Sequence, residues 1–87
     1  MWNQGIIGVP QKDGPAVRVL YSVKVYDTGS EFGINGGRIS KLFLSEGGTG
    51  NVLASYDRGW DIEPVNEAAE FALAILLESY KEYKKVL

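Results

Sequence analysis

Eighty-seven residues, 45% of them hydrophobic and 11% aromatic, suffice for one folded core and no more, since a chain of this length cannot enclose two. The absence of cysteine and histidine excludes disulfides, thiolate nucleophiles, Cys/His zinc sites and histidine acid–base relays. A formal net charge of −2, from 9 basic and 11 acidic residues, gives no global attraction for nucleic acid or an anionic membrane.

The first residues, MWNQGIIGVPQKDG, lack the basic and apolar regions of a secretory signal, and the longest apolar run, residues 71–77, is too short to span a bilayer. The expected setting is cytoplasmic, with no membrane partner. Residues 5–9 read as an edge strand, closed by Pro10 and the turn-forming Lys12, Asp13, Gly14 and Pro15. Over residues 16–27 the side chains alternate: Val17, Val19, Tyr21, Val23 and Val25 share one face, and Arg18, Leu20, Ser22, Lys24 and Tyr26 the other.

TGSEFGINGG, residues 28–37, is glycine-rich and reads as a long connection. Residues 38–45 alternate again, Ile39, Lys41 and Phe43 opposing Ser40, Leu42 and Leu44, and EGGTGN then turns the chain into a strand over 51–57, an antiparallel hairpin. DRGWDIEP leaves the sheet and leads into a helix over about 64–85, started near Pro64 or Asn66, with Glu63, Glu67 and Glu70 at its positive end and Lys81, Lys84 and Lys85 at the other. The predicted fold is α+β: a small antiparallel meander of three to four strands packed against one C-terminal helix, ββββα, as a single domain over residues 1–87.

The helix stripe Val65, Ala68, Ala69, Ala72, Ile75, Leu76, Tyr80 and Tyr83 faces the sheet, and Phe71, Leu73 and Leu77 widen it on the flank. The expected core is Val19, Tyr21, Val23, Ile39, Phe43, Val52, Ala54, Ala72, Ile75 and Leu76. The widened flank makes a homodimer through Phe71, Leu73 and Leu77 an expectation, with cover by Trp2, Ile6 and Ile7 as its rival.

Polar chemistry concentrates in two segments: Asp27, Glu31, Asn35 and Arg38 around the glycine connection, and Asp57, Arg58, Asp61 and Glu63 around Trp60. If these converge, the carboxylates Asp27, Glu31, Asp57 and Asp61 could bind Mg²⁺ or Ca²⁺, and the blander reading pairs them with Arg38 and Arg58. The run from Gly33 to Arg38 is neither a phosphate-binding Walker loop nor a dinucleotide fingerprint, and its glycines read as backbone turns. Trp60 reads either as a plug at one end of the core or as a contact anchor. No catalytic, cofactor or metal residue is assigned, and the candidate interaction surface is Trp60, Arg58, Asp61, Asn35, Arg38 and Glu31.

YDTGSEFGINGGRISKL (residues 26–42) and SYDRGWDIEP (residues 55–64) resemble a family of small uncharacterised proteins of Gram-positive bacteria and their prophages. That resemblance implies a bacterial setting and no mechanism. In element order alone, the chain is also similar to the C-terminal part of double-stranded-RNA-binding domains and to small antitoxin-like domains, but Glu63, Glu67 and Glu70 stand where the RNA-binding fold is basic. The expected function is that of a non-enzymatic interaction or accessory protein whose partner is a protein. The alternative, ranked below it, is a nucleic-acid-binding module using Arg18, Lys24 and Lys41 with Tyr26 as a stacking platform; metal-assisted hydrolysis by the four carboxylates stands third.

Overall fold

The computed structural model describes residues 1–81 and forms one five-stranded antiparallel sheet with a helix across one face. The strands are β1 (Trp2–Val9), β2 (Val17–Val25), β3 (Ile39–Glu46), β4 (Val52–Asp57) and β5 (Trp60–Ile62), in spatial order β1-β2-β3-β4-β5. Each strand thus pairs with its neighbour in sequence, as in a meander. The strand count is five, not three to four, because DRGWDIEP does not leave the sheet. Arg58 and Gly59 turn the chain back, and Trp60–Ile62 pairs with β4.

The helix, α1 (Glu67–Ser79), is shorter than the expected 64–85. Asn66 ends it by chemistry: its extended backbone cannot join the helix, and its side-chain oxygen accepts from the Ala69 amide at 2.9 Å. Glu67 and Glu70 occupy the first turn, where the dipole favours them. Tyr80 caps the C-terminal end, so Lys81 follows the helix, while Tyr83, Lys84 and Lys85 lie outside the described residues.

The helix packs against β1 and β2 through Ala68, Ala69, Ala72 and Leu76, with Leu73, Leu77 and Tyr80 half-buried beside them. Three alanines in this stripe let the helix axis lie close to the sheet, so Leu76 is the large anchor, its burial stabilising by about 1.5–3 kcal/mol. The rest of the core face is covered by the connection over residues 28–37, which drops Ile34 into the core and is tied down by the Tyr56 hydroxyl donating to the Phe32 carbonyl at 2.9 Å.

Three members of the expected core are on the surface: Phe43, Val52 and Ile75 are each more than a third exposed, and Tyr21 is half-buried. The cause in the sheet is a pair of β-bulges. Lys24 pairs with Lys41 but Val25 with Ile39, so Ser40 is an extra residue in β3, and Ile39, Leu42 and Leu44 all reach the core while Phe43 faces away. Leu44 pairs with Ala54 but Ser45 with Val52, so Leu53 is extra in β4 and takes the core position expected of Val52. On the helix, Ile75 sits at the rim of a stripe centred on Ala69, Ala72 and Leu76.

Candidate functional site

One sheet face is covered by the helix and the 28–37 connection, and no element among the described residues covers the other. The side chains of this outer face follow from register: Trp2, Gln4, Ile6 and Gly8 of β1 stand beside Lys24, Ser22, Leu20 and Arg18 of β2. Ser22 pairs onward with Phe43, Phe43 with Ser55, and Ser55 with Ile62. The result is an open apolar band running diagonally across the sheet, Ile6 and Leu20 side by side and then Phe43 and Ile62, from 39% exposed at Leu20 to 58% at Ile6. A shallow groove of about 410 Å³ lies on it between Ile6, Leu20 and Phe43, with Gln4, Ser22 and Ser45 as its polar lining.

The free edge of β1 adjoins this band. Met1 and Val25 exchange backbone hydrogen bonds, the Val25 amide to the Met1 carbonyl at 2.9 Å and the Met1 amine to the Val25 carbonyl at 3.2 Å. Hydrogen-bonded pairs alternate in an antiparallel ladder, so Asn3, Gly5, Ile7 and Val9 bond to β2, and the amides and carbonyls of Trp2, Gln4, Ile6 and Gly8 point outward. Those eight outward groups lie on a strand with no charged residue and no proline, WNQGIIGV. The opposite edge, β5, is three residues long, and Asp61 is an extra residue in its pairing with β4.

At one end of the sheet a second cleft, about 370 Å³, opens between the end of β2, the start of the 28–37 connection and the β4–β5 turn. Its lining includes Tyr26, Phe32, Ser30, Ser40, Lys41 and Arg58. The Arg58 guanidinium lies 5.7 Å from the centre of the Phe32 ring, and the Lys24 ammonium 5.6 Å from that of Tyr26. Lys41 reaches Asp57 at 3.8 Å, a long and largely exposed contact. The turn that aims Arg58 holds it at φ 60°, in the left-handed region, and its amide donates to the Ser40 carbonyl at 3.2 Å.

The six residues of the expected interaction surface do not form one site. Arg58 lines the sheet-end cleft. Asn35 and Arg38 instead line a separate 180 Å³ cavity beside Leu77 and Tyr80 at the helix end, and the Arg38 Nε donates to the Tyr26 carbonyl at 2.8 Å and pairs with no carboxylate among the described residues. Trp60 packs edge-on against Tyr56, ring centres 5.0 Å apart at 74°, and is 36% exposed. Asp61 and Glu31 are exposed and line neither cavity. Among the described residues, no three carboxylates gather closely enough to hold a metal, so Asp27, Glu31, Asp57 and Asp61 do not converge. Lys24, Lys41 and Tyr26 do come together, while Arg18 lies near the other end of β2, its carbonyl accepting from Gly47 at 2.8 Å. Phe32 and Ser40 had no signal in the sequence; their place depends on the connection folding back and on the β3 bulge.

A family profile described as a domain of unknown function matches residues 1–81 and so spans every element above. The chain belongs to the DUF7678 family. No curated protein and no solved structure matches it. The roles of residues in this DUF7678 domain therefore rest on geometry: an open apolar band, an uncharged sheet edge and a cationic–aromatic cleft. No helix among its described residues is long and apolar enough to cross a membrane.

Proposed function

We propose that the DUF7678 domain is a non-catalytic accessory protein that works by protein contact, through its uncovered sheet face and the adjoining β1 edge. The observation that carries this reading is the combination of the open band Ile6, Leu20, Phe43 and Ile62 with an eight-residue edge strand lacking charge and proline. Soluble proteins blunt exposed edges with charges, proline, bulges or shortness. Edge β5 has three of these, the charge of Asp61, a bulge and shortness, and β1 has none of the four, so β1 is an edge suited to receiving a strand.

The occupant is a second copy of the chain, added antiparallel about a two-fold axis. With Trp2 opposite Gly8 and Gln4 opposite Ile6, every outward amide and carbonyl of the strand finds a partner, and the Trp2 and Ile6 side chains of the two copies extend one apolar surface. The lack of histidine and cysteine supports the non-catalytic part of the reading. The setting proposed with it is a Gram-positive bacterium, with the gene carried by a prophage, on the strength of the resemblance in residues 26–42 and 55–64.

Light scattering over a concentration series tests the assembly. A dimer mass that Gln4→Pro returns to monomer, with the circular dichroism spectrum unchanged, supports it, because the Gln4 amide is not used by the β1–β2 ladder. A constant monomer mass into the high micromolar range overturns it. So does a dimer that survives Gln4→Pro but dissociates with Phe71→Glu, which would place the contact on the helix flank.

A further inference from the structure

We infer that the sheet-end cleft binds a phosphorylated aromatic ligand, a nucleotide unit either free or within a single strand. This goes beyond the protein-contact reading and does not depend on it. Among the described residues, the two charged ones lining the cleft, Lys41 and Arg58, are cations, and no carboxylate lines it. Asp27 and Glu31 belong to neighbouring chain but lie outside the lining, and Asp57 meets Lys41 only at the long exposed contact of 3.8 Å. Tyr26 and Phe32, 48% and 50% exposed, supply two ring faces at the same mouth, and Thr28 and Ser30 supply hydroxyls. Lys24 adds a third cation beside Tyr26. Cations that neutralise phosphate beside aromatic rings that stack on bases are the parts from which single-strand and nucleotide sites are built, and about 370 Å³ falls within the range of small-ligand pockets.

The backbone supplies an independent argument. A turn residue at φ 60° is ordinarily glycine, and glycine is the next residue along, yet the strained position carries Arg58. Folding alone would be served as well or better by glycine there. What an arginine adds is a guanidinium delivered to the cleft and held over Phe32.

The test is a titration of the full chain with ADP by calorimetry and with a fluorescein-labelled single-stranded DNA of about ten nucleotides by polarisation. Saturable binding of either ligand is expected, weakened about tenfold or more by Arg58→Gly and by Tyr26→Ala. Arg58→Gly should melt no lower than the parent, since it relieves the left-handed strain, and this separates loss of binding from loss of fold. ADP binding without oligonucleotide binding identifies a free nucleotide as ligand; oligonucleotide binding whose affinity falls steeply with salt identifies a single strand. Absence of binding by both ligands at millimolar concentration overturns the proposal, and so does binding that Arg58→Gly leaves unchanged. Retention of dimer mass by Arg58→Gly keeps this outcome distinct from that for the β1 edge.

Discussion

The ring of Tyr21 lies over Gly5, its partner across the β1–β2 ladder, so closely that a Cβ added to Gly5 would stand 2.5 Å from the tyrosine oxygen. The phenol fills the space that a side chain on the edge strand would otherwise take. Gly5→Ala is therefore expected to push the ring aside and cost about 1–3 kcal/mol, measured by urea denaturation. In the Tyr21→Ala background the same substitution should cost much less, a coupling that a double-mutant cycle reads directly.

Gly33 poses the same problem with a stiffer neighbour. A Cβ there would fall well inside contact distance of the Gly37 carbonyl oxygen, which is backbone and cannot rotate away. Gly33→Ala should open the turn that carries Ile34 into the core and cost about 3 kcal/mol or more. A melting temperature within a few degrees of the parent would show that the connection repacks freely.

The helix face can be checked with one pair of substitutions. Leu76 is 2% exposed and Ile75 37%. Leu76→Ala should cost about 2–5 kcal/mol and Ile75→Ala about 1 kcal/mol or less. Comparable losses at both positions would mean that the helix is rotated from the orientation described.

Tyr56→Phe removes only the hydroxyl that donates to the Phe32 carbonyl. The global cost should be modest, about 0.5–1.5 kcal/mol. The local effect should be sharper: amide exchange at Gly33, Gly36 and Gly37, whose turn bonds depend on the connection staying docked, should speed up more than exchange at Val19 or Val23 in the β1–β2 ladder.

How much of this was legible in the sequence depended on whether strand periodicity ran unbroken. In β2 it did, and Val19, Val23 and Val25 are buried where a two-residue period places them. In β3 the period resets at Ser40, so Ile39 and Phe43, four residues apart and apparently on one face, end on opposite sides. Leu53 resets β4 in the same way. A bulge leaves no compositional mark, because the extra residue is defined by the partner strand and not by its own chemistry. β5 is three residues long, too short for any period to declare itself. For the cleft, the sequence offered Arg18, Lys24, Lys41 and Tyr26 as a group; Arg18 lies near the other end of β2, and Phe32 and Arg58 join the rest only through a connection that folds back and a turn that holds an arginine at positive φ.

The pairing order β1-β2-β3-β4-β5 also fixes a schedule for synthesis. Each strand can dock on its predecessor as it leaves the ribosome, so sheet assembly needs only local closures, the longest over residues 26–38, and should be fast. The helix is different: it follows all five strands in the chain and packs on β1 and β2, the two that precede the rest. Until residues 67–79 emerge, the helix-side face of β2 stays open to water on a sheet whose five strands are already made, and a chain stalled before that point carries its most adhesive surface uncovered. The first and last described elements thus complete one another, and truncations that remove α1 should harm recovery of soluble protein far more than their length suggests.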